Sequence, residues 1–268
     1  MIDDSSTRSW DAVADDWVTH ADTNDYRNVV LMPLTLELIG EVTGQRILDL
    51  GCGEGGYSRE LAKRGAIVVG VDGSERLVST ARQRSDDPEH PVNYICANAS
   101  RLEGIEAECF DQVLAAMSLM DVEDYDGAID EAWRVLVPGG ALLMSISHPS
   151  FSAPTAEWVK TDRGELRHFV VDRYFDRVVW EDFVTPRFRR PILRRHRPLE
   201  DFARPLLRRG FVLRNLVEPT ATAAHVQQSA RLARLARIPY FLFMQWQKPS
   251  VTTSACSRRR RSDRVRRG

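Results

Sequence analysis

Four glycines, Gly51, Gly53, Gly55 and Gly56, follow an apolar run at residues 47–50, and Asp72 closes a second run at residues 67–71. Between the runs, Tyr57, Leu61 and Ala62 share one helical face, and Gly65 is placed to end the helix. Such a strand–turn–helix–strand unit exposes backbone N–H groups at its first turn, and ligands of these folds sit where the parallel strands end. The chemistry expected there is the binding of a nucleotide-like ligand, with Asp72 accepting from ribose hydroxyls.

Gly51, Gly53 and Gly56 satisfy GxGxxG, a spacing shared by two cofactor classes, so the turn alone leaves a nicotinamide dinucleotide and S-adenosylmethionine (SAM) both open. Asp49, two residues before the first glycine, separates them. Its carboxylate would repel a pyrophosphate and suits a cationic ligand carrying a sulfonium and an ammonium. A second chemical candidate is His148, at the end of an apolar strand at residues 141–147 on the ligand side of the sheet. Its titration range suits removal of a proton from a hydroxyl or an ammonium. His20, His168 and His196 are weaker candidates.

The elements that position these residues read in order. Trp10, Val13, Ala14, Trp17 and Val18 recur at helical spacing, and Leu31, Leu34, Leu38 and Ile39 form a second face with Pro33 near its first turn. Ser74 is a natural N-cap for the helix after Asp72. Strands are expected at residues 92–96 and 110–117, a helix at 126–136, and a tight turn at Pro138-Gly139-Gly140 before the strand ending at Ser147. A helix at 199–209 kinked by Pro205, a strand at 211–217, a basic amphipathic helix at 221–237 and a last strand at 238–246 complete the series. Strands alternating with helices give an α/β, doubly wound sheet.

Residues 148–197 interrupt that rhythm. Eight of the chain's 22 aromatic residues fall between positions 151 and 188, a density that a solvated linker would not carry, so this insertion is expected to fold over something. Phe151, Tyr174 and Phe175, with Trp17 and His20 from the N-terminal helices, are the expected wall of an acceptor pocket.

Net charge is −1 over 268 residues, but the last twelve hold seven Arg and one Asp. Without interleaved aromatics for base stacking, this tail (residues 250–268) reads as disordered, and a nucleic-acid partner is disfavoured. The N-terminus is acidic and polar, unlike a signal peptide, and no apolar run reaches membrane-spanning length. Cys52, Cys96, Cys109 and Cys256 show no metal-ligand spacing, so no metal is expected, and a reducing cytoplasm is the simplest location.

Ile47-Leu48-Asp49-Leu50-Gly51-Cys52-Gly53-Glu54-Gly55 resembles the glycine motif of the class I SAM-dependent methyltransferases. Val69-Gly70-Val71-Asp72-Gly73-Ser74, Phe110-Asp111-Gln112-Val113-Leu114 and Ala132-Trp133-Arg134-Val135-Leu136-Val137-Pro138-Gly139-Gly140 resemble later blocks of that family, in the right order. The resemblance covers roughly residues 10–248, least in the insertion. It implies a Rossmann-like, seven-stranded sheet of order 3-2-1-4-5-7-6 with the last strand antiparallel, in one domain over residues 1–249 with 148–197 covering the acceptor. By position it assigns Gly51 and Gly53 to the methionine part of SAM, Asp72 and Gly73 to the ribose, Asn98 and Ala99 to the adenine, and Met117 to a further contact. Asn98 stands where the family usually has Asp. Ser147-His148-Pro149-Ser150-Phe151, His196-Arg197-Pro198-Leu199 and Gly210-Phe211 are similar to bacterial small-molecule methyltransferases, many from natural-product pathways. The implied function is methyl transfer from SAM to a hydroxyl, amine or carboxylate of a small-molecule acceptor in secondary metabolism, with His148 as base and a homodimer left open. The alternatives are a nucleic-acid methyltransferase and a SAM-binding protein without methyl transfer.

Overall fold

The computed structural model describes residues 4–250; the arginine-rich tail and Cys256 lie outside the described residues, as do residues 1–3. Four largely apolar runs build the centre. They are β1 (Arg46–Leu50), β2 (Ile67–Asp72), β4 (Phe110–Ala116) and β5 (Leu136–Ser147), with β3 (Val92–Cys96) outside β2. These five pair in parallel. β11 (Phe241–Gln247) pairs antiparallel with both β5 and β10 (Val212–Val217). The order β3-β2-β1-β4-β5-β11-β10 is the expected one.

Alternate residues of these strands enter two cores, as a sheet covered on both faces requires. Ile47, Leu114, Leu143 and Phe243 pack under α3 (Met32–Ile39) and α4 (Gly56–Lys63). Leu48, Val113, Leu142 and Met144 pack under α6 (Tyr125–Val135) and α7 (Leu199–Arg209). Ser74 caps α5 (Glu75–Arg84) by accepting from Leu77 N at 3.2 Å.

Three local expectations need correction. Pro138-Gly139-Gly140 does not make a separate tight turn. It lies within β5, where the register against β4 shifts, and Gly139 N donates to Lys248 O at 2.9 Å. The basic segment at 221–237 is not one helix. Ser229 adopts an extended backbone (φ −150°) between α8 (Ala223–Gln228) and a 3-10 helix at Ala230–Ala236. Its hydroxyl caps the second piece through Arg231 N, while Leu232 and Leu235 still point inward. The N-terminal face is also divided, with α1 (Ser5–Ala12) and α2 (Ala14–Asp22) breaking at Val13. A π-helix, Tyr26–Leu31, then runs straight into α3, whose first turn contains Pro33.

The insertion forms two hairpins, β6 (Glu157–Lys160) with β7 (Leu166–Val170) and β8 (Val179–Asp182) with β9 (Ile192–Arg195). The second is tied to α1, since Leu193 N donates to Ser9 Oγ at 2.6 Å and Arg195 to Ser5 Oγ at 2.7 Å. Among the described residues no helix is long and apolar enough to cross a membrane.

Candidate functional site

A cavity of about 400 Å³ opens over the carboxyl ends of β1, β2 and β4 and is roofed by α1, α2 and the π-helix. Its floor is the glycine turn. Gly51 has φ +78°, and a Cβ there would come within 2.3 Å of the Ser118 Cβ, so only glycine lets β1 leave the sheet against the β4 loop. Gly51 N and Cys52 N both donate to Val71 O, at 2.7 and 2.9 Å, which fixes the turn beside the end of β2.

Asp72 projects from that end into the cavity. One oxygen accepts from Gly53 N and the other from Ser74 N, each at 2.9 Å. Burial pushes the Asp72 pKa up, and the amides of Ser74 and Gly53 oppose it. Each oxygen keeps a lone pair for a further donor, as two vicinal hydroxyls would need. Met117, at the end of β4, has φ +55°, an uncommon conformation for a side-chain-bearing residue, and its N–H donates to Ser145 O at 2.9 Å.

The cavity gathers Gly51, Gly53, Asp72, Gly73, Asn98, Ala99 and Met117 on one side, with Trp17 and His20 across from them. Asn98 differs from expectation. Its side-chain carbonyl already accepts from Ser100 N and Oγ, both at 2.9 Å, and its amide donates to Asp4 Oδ2 at 3.1 Å. The acceptor with a lone pair to spare on this wall is therefore Asp4 Oδ2, which takes only the Asn98 amide, while Asp4 Oδ1 caps α1 by accepting from Ser6 N and Thr7 N.

Five expected site residues lie off the wall. Asp49 is only 1% exposed, beneath the turn, where Ser58 Oγ donates to it at 2.5 Å. Burial pushes its pKa up to about 7, partly offset by that hydrogen bond. His148 follows Ser147, which does face the cavity, and turns the other way. Its N–H pairs with Tyr240 O, its Nδ1 accepts from Ser150 N at 3.1 Å to cap a 3-10 turn at Pro149–Phe151, and its Nε2 meets Glu218 at 3.0 Å. Burial lowers its pKa, although Glu218 opposes this. Phe151 packs between His148 and Phe169. Tyr174 is committed to Leu199 N and His196, and Phe175 is 72% exposed. Phe151 and Tyr174 brace the insertion, Phe175 faces solvent, and none of the three lines the cavity.

Residues 48–144 match the family model described as "Methyltransferase domain". Among solved structures, an S-adenosylmethionine dependent methyltransferase from Mesorhizobium loti is 28% identical, with 84% of this chain and 99% of that chain covered and a TM-score of 0.69. Over residues 48–144 the chain thus carries a methyltransferase domain, in a fold shared with that S-adenosylmethionine dependent methyltransferase. A ubiquinone biosynthesis O-methyltransferase from Coxiella burnetii is 32% identical over 155 residues, 57% of this chain and 65% of that relative. A ubiquinone/menaquinone biosynthesis C-methyltransferase from Xylella fastidiosa is 32% identical over 175 residues, 63% and 66% of the two chains. The chain thus spans just under two thirds of the length of these curated relatives.

The cavity fits S-adenosylmethionine on its donor set alone. A half-buried acid with two open lone pairs, an exposed-backbone turn and the Asp4 carboxylate are spaced along one wall. Two groups there were missed in the sequence. Arg27, on the π-helix, donates to the buried Glu54 of the turn at 2.6 Å and lies 5.5 Å from the Tyr57 ring centre. Asp121, on the loop after β4, is 5% exposed and lines the opposite half with Trp10, Met120, Val122 and Arg194. An acid a few residues past an apolar strand, the same signal that marked Asp72, could have flagged Asp121.

Proposed function

We propose that this methyltransferase moves a methyl group from SAM to a small-molecule acceptor held under α1 and α2. One observation carries the reading: a single cavity of small-molecule size joins the Gly51 turn and Asp72 to a half walled by Trp10, Trp17, His20 and Asp121. Bound SAM supplies an electrophilic methyl group on a sulfonium. The chain's own part is to hold the two reactants in line and keep water out. In this reading Asp72 holds the ribose hydroxyls, Asp4 faces the adenine amine, and the Gly51 turn with Arg27 faces the amino-acid end. Residues 148–197 act as the acceptor cover, because Val184, Thr185 and Arg194 reach the cavity from that segment.

The names of the curated relatives, biosynthetic O- and C-methyltransferases, support a small-molecule acceptor. A nucleic-acid substrate is less well supported. Arg189, Arg194 and Arg195 of the insertion face Asp16, Asp182 and Glu123, which leaves them poor phosphate contacts. Free Cys52, Cys96 and Cys109 suit a reducing cytoplasm. The test is purified protein with isotope-labelled SAM and a panel of phenols, amines and carboxylic acids. Label is expected in at least one acceptor; tight SAM binding with transfer to none, and transfer to RNA instead, would overturn the reading.

A further inference from the structure

The loop from Ser118 to Glu123 is held more firmly than a connection needs. Ser118 Oγ donates to Leu50 O at 2.7 Å, which fastens the loop to the glycine turn. Arg197 donates to Met120 O at 2.9 Å and to Val122 O at 2.6 Å, so the carbonyls on both sides of Asp121 are clamped by one guanidinium. The side chain between them faces the cavity, and the Trp10 indole N–H is directed at it.

The charges around Asp121 come from one direction. Arg194, Arg195 and Arg197 surround it. Arg194 is partly balanced by Asp182 at 3.2 Å and Arg195 by Glu123 at 3.0 Å, while Arg197 is spent on carbonyls. Burial pushes the Asp121 carboxyl up to about 6, and the arginines and Trp10 pull the other way. His20, the other titratable group on this side, is packed between Trp17 and Phe188. Burial and the nearby Arg231 both lower its pKa.

We propose that Asp121 is the acid–base residue of this site and that the acceptor is a neutral aromatic hydroxyl; the proposal rests on the methyl-transfer reading above. Trp10 and Trp17 meet edge to face at 5.3 Å, and Trp17 continues to His20 at 5.9 Å, a wall suited to a flat ring. An ammonium beside Asp121 would also meet Arg194, and a carboxylate acceptor would meet Asp121 itself. A hydroxyl brings neither charge and offers the proton that Asp121 can take. As the acceptor oxygen bonds the methyl carbon, its proton passes to Asp121. The carbon–sulfur bond breaks with its electron pair left on sulfur, giving a neutral thioether, and Asp121 then returns the proton to water.

The test uses the full chain saturated with S-adenosylhomocysteine, titrated by calorimetry with 2-naphthol and with 2-methoxynaphthalene, which has the same rings and no proton to give. Wild type should prefer 2-naphthol by about tenfold or more near pH 8, the size expected for a hydrogen bond to a charged acceptor. That preference should shrink as pH falls below about 6, where Asp121 becomes protonated. Asp121→Asn should lose the preference and its pH dependence while keeping its affinity for S-adenosylhomocysteine, and Asp121→Glu should restore part of both. No preference in wild type, an unchanged preference in Asp121→Asn, or a pH dependence removed by His20→Asn instead, each overturns the proposal. If Asp121→Asn does not fold, the wild-type pH series decides alone. Failure of wild type to bind S-adenosylhomocysteine would count against the cofactor reading, and is scored separately.

Discussion

Two carboxylates of the glycine-turn region show how position changes the work of one side chain. Asp72 reaches the cavity with both oxygens partly used by amides, so its loss should remove charged hydrogen bonds from a bound ribose. Asp72→Ala is expected to weaken SAM at least about tenfold by calorimetry, since such bonds contribute about 1.5–3 kcal/mol each; an unchanged affinity excludes Asp72 from the cofactor site. Asp49 is sealed below the turn with a pKa of about 7. Between about pH 4, where an unfolded Asp ionises, and pH 7, the folded chain holds a proton that the unfolded chain has released. Stability from this group therefore falls as pH rises through that window. Asp49→Asn, which keeps a partner for Ser58, should gain on wild type by about 3 kcal/mol between pH 4.5 and 8 in urea melts. A difference that does not change with pH would show that Asp49 is ionised throughout. The sequence made both acids visible; it placed them in the same site because the depth of a side chain below a turn is a property of packing, not of spacing.

At the scale of elements, the alternation of strands and helices was legible because each βαβ unit is local and its hydrophobic rhythm is two-faced, and the strand order followed from the family resemblance. What happens at the ends of β5 was not. At its start, Gly140 lies where a Cβ would meet Asp111 O and Val137 O at 2.9 Å, both backbone atoms that cannot yield. Gly140→Ala should cost about 1–3 kcal/mol by overpacking, read as a lower urea midpoint with an unchanged slope. At its other end, pairing with Tyr240 and the turn at Pro149 aim His148 at Glu218 instead of the cavity. His148→Ala should accordingly leave SAM affinity and turnover as in wild type. A pH profile of turnover altered by that change would return His148 to the mechanism. The π-helix is the least legible element: no residue pattern announced it, yet it sets Arg27 against Glu54 and the glycine turn.

For the whole molecule, the N-terminal helices, the sheet ends and one hairpin of the insertion close on a common cavity, so a ligand there ties together parts distant in the chain. S-adenosylhomocysteine at about a hundred times its Kd should add about 2.7 kcal/mol, or about 5–10 °C in Tm. NAD at the same concentration should add nothing; the reverse ranking would reopen the dinucleotide reading of the turn. The sequence by itself determined the α/β alternation and the Gly51–Asp72 turn, because those depend on contacts between neighbours along the chain and on backbone dihedrals that few residues allow, and its resemblance to a known family supplied the strand order. Only the tertiary structure decided which side chains share the cavity. Asp121 and Arg27 enter it, while Asp49, His148, Phe151, Tyr174 and Phe175 do not, because the direction of a side chain at a strand end or loop is fixed by partners distant in the chain, such as Arg197 for the Asp121 loop and Glu218 for His148.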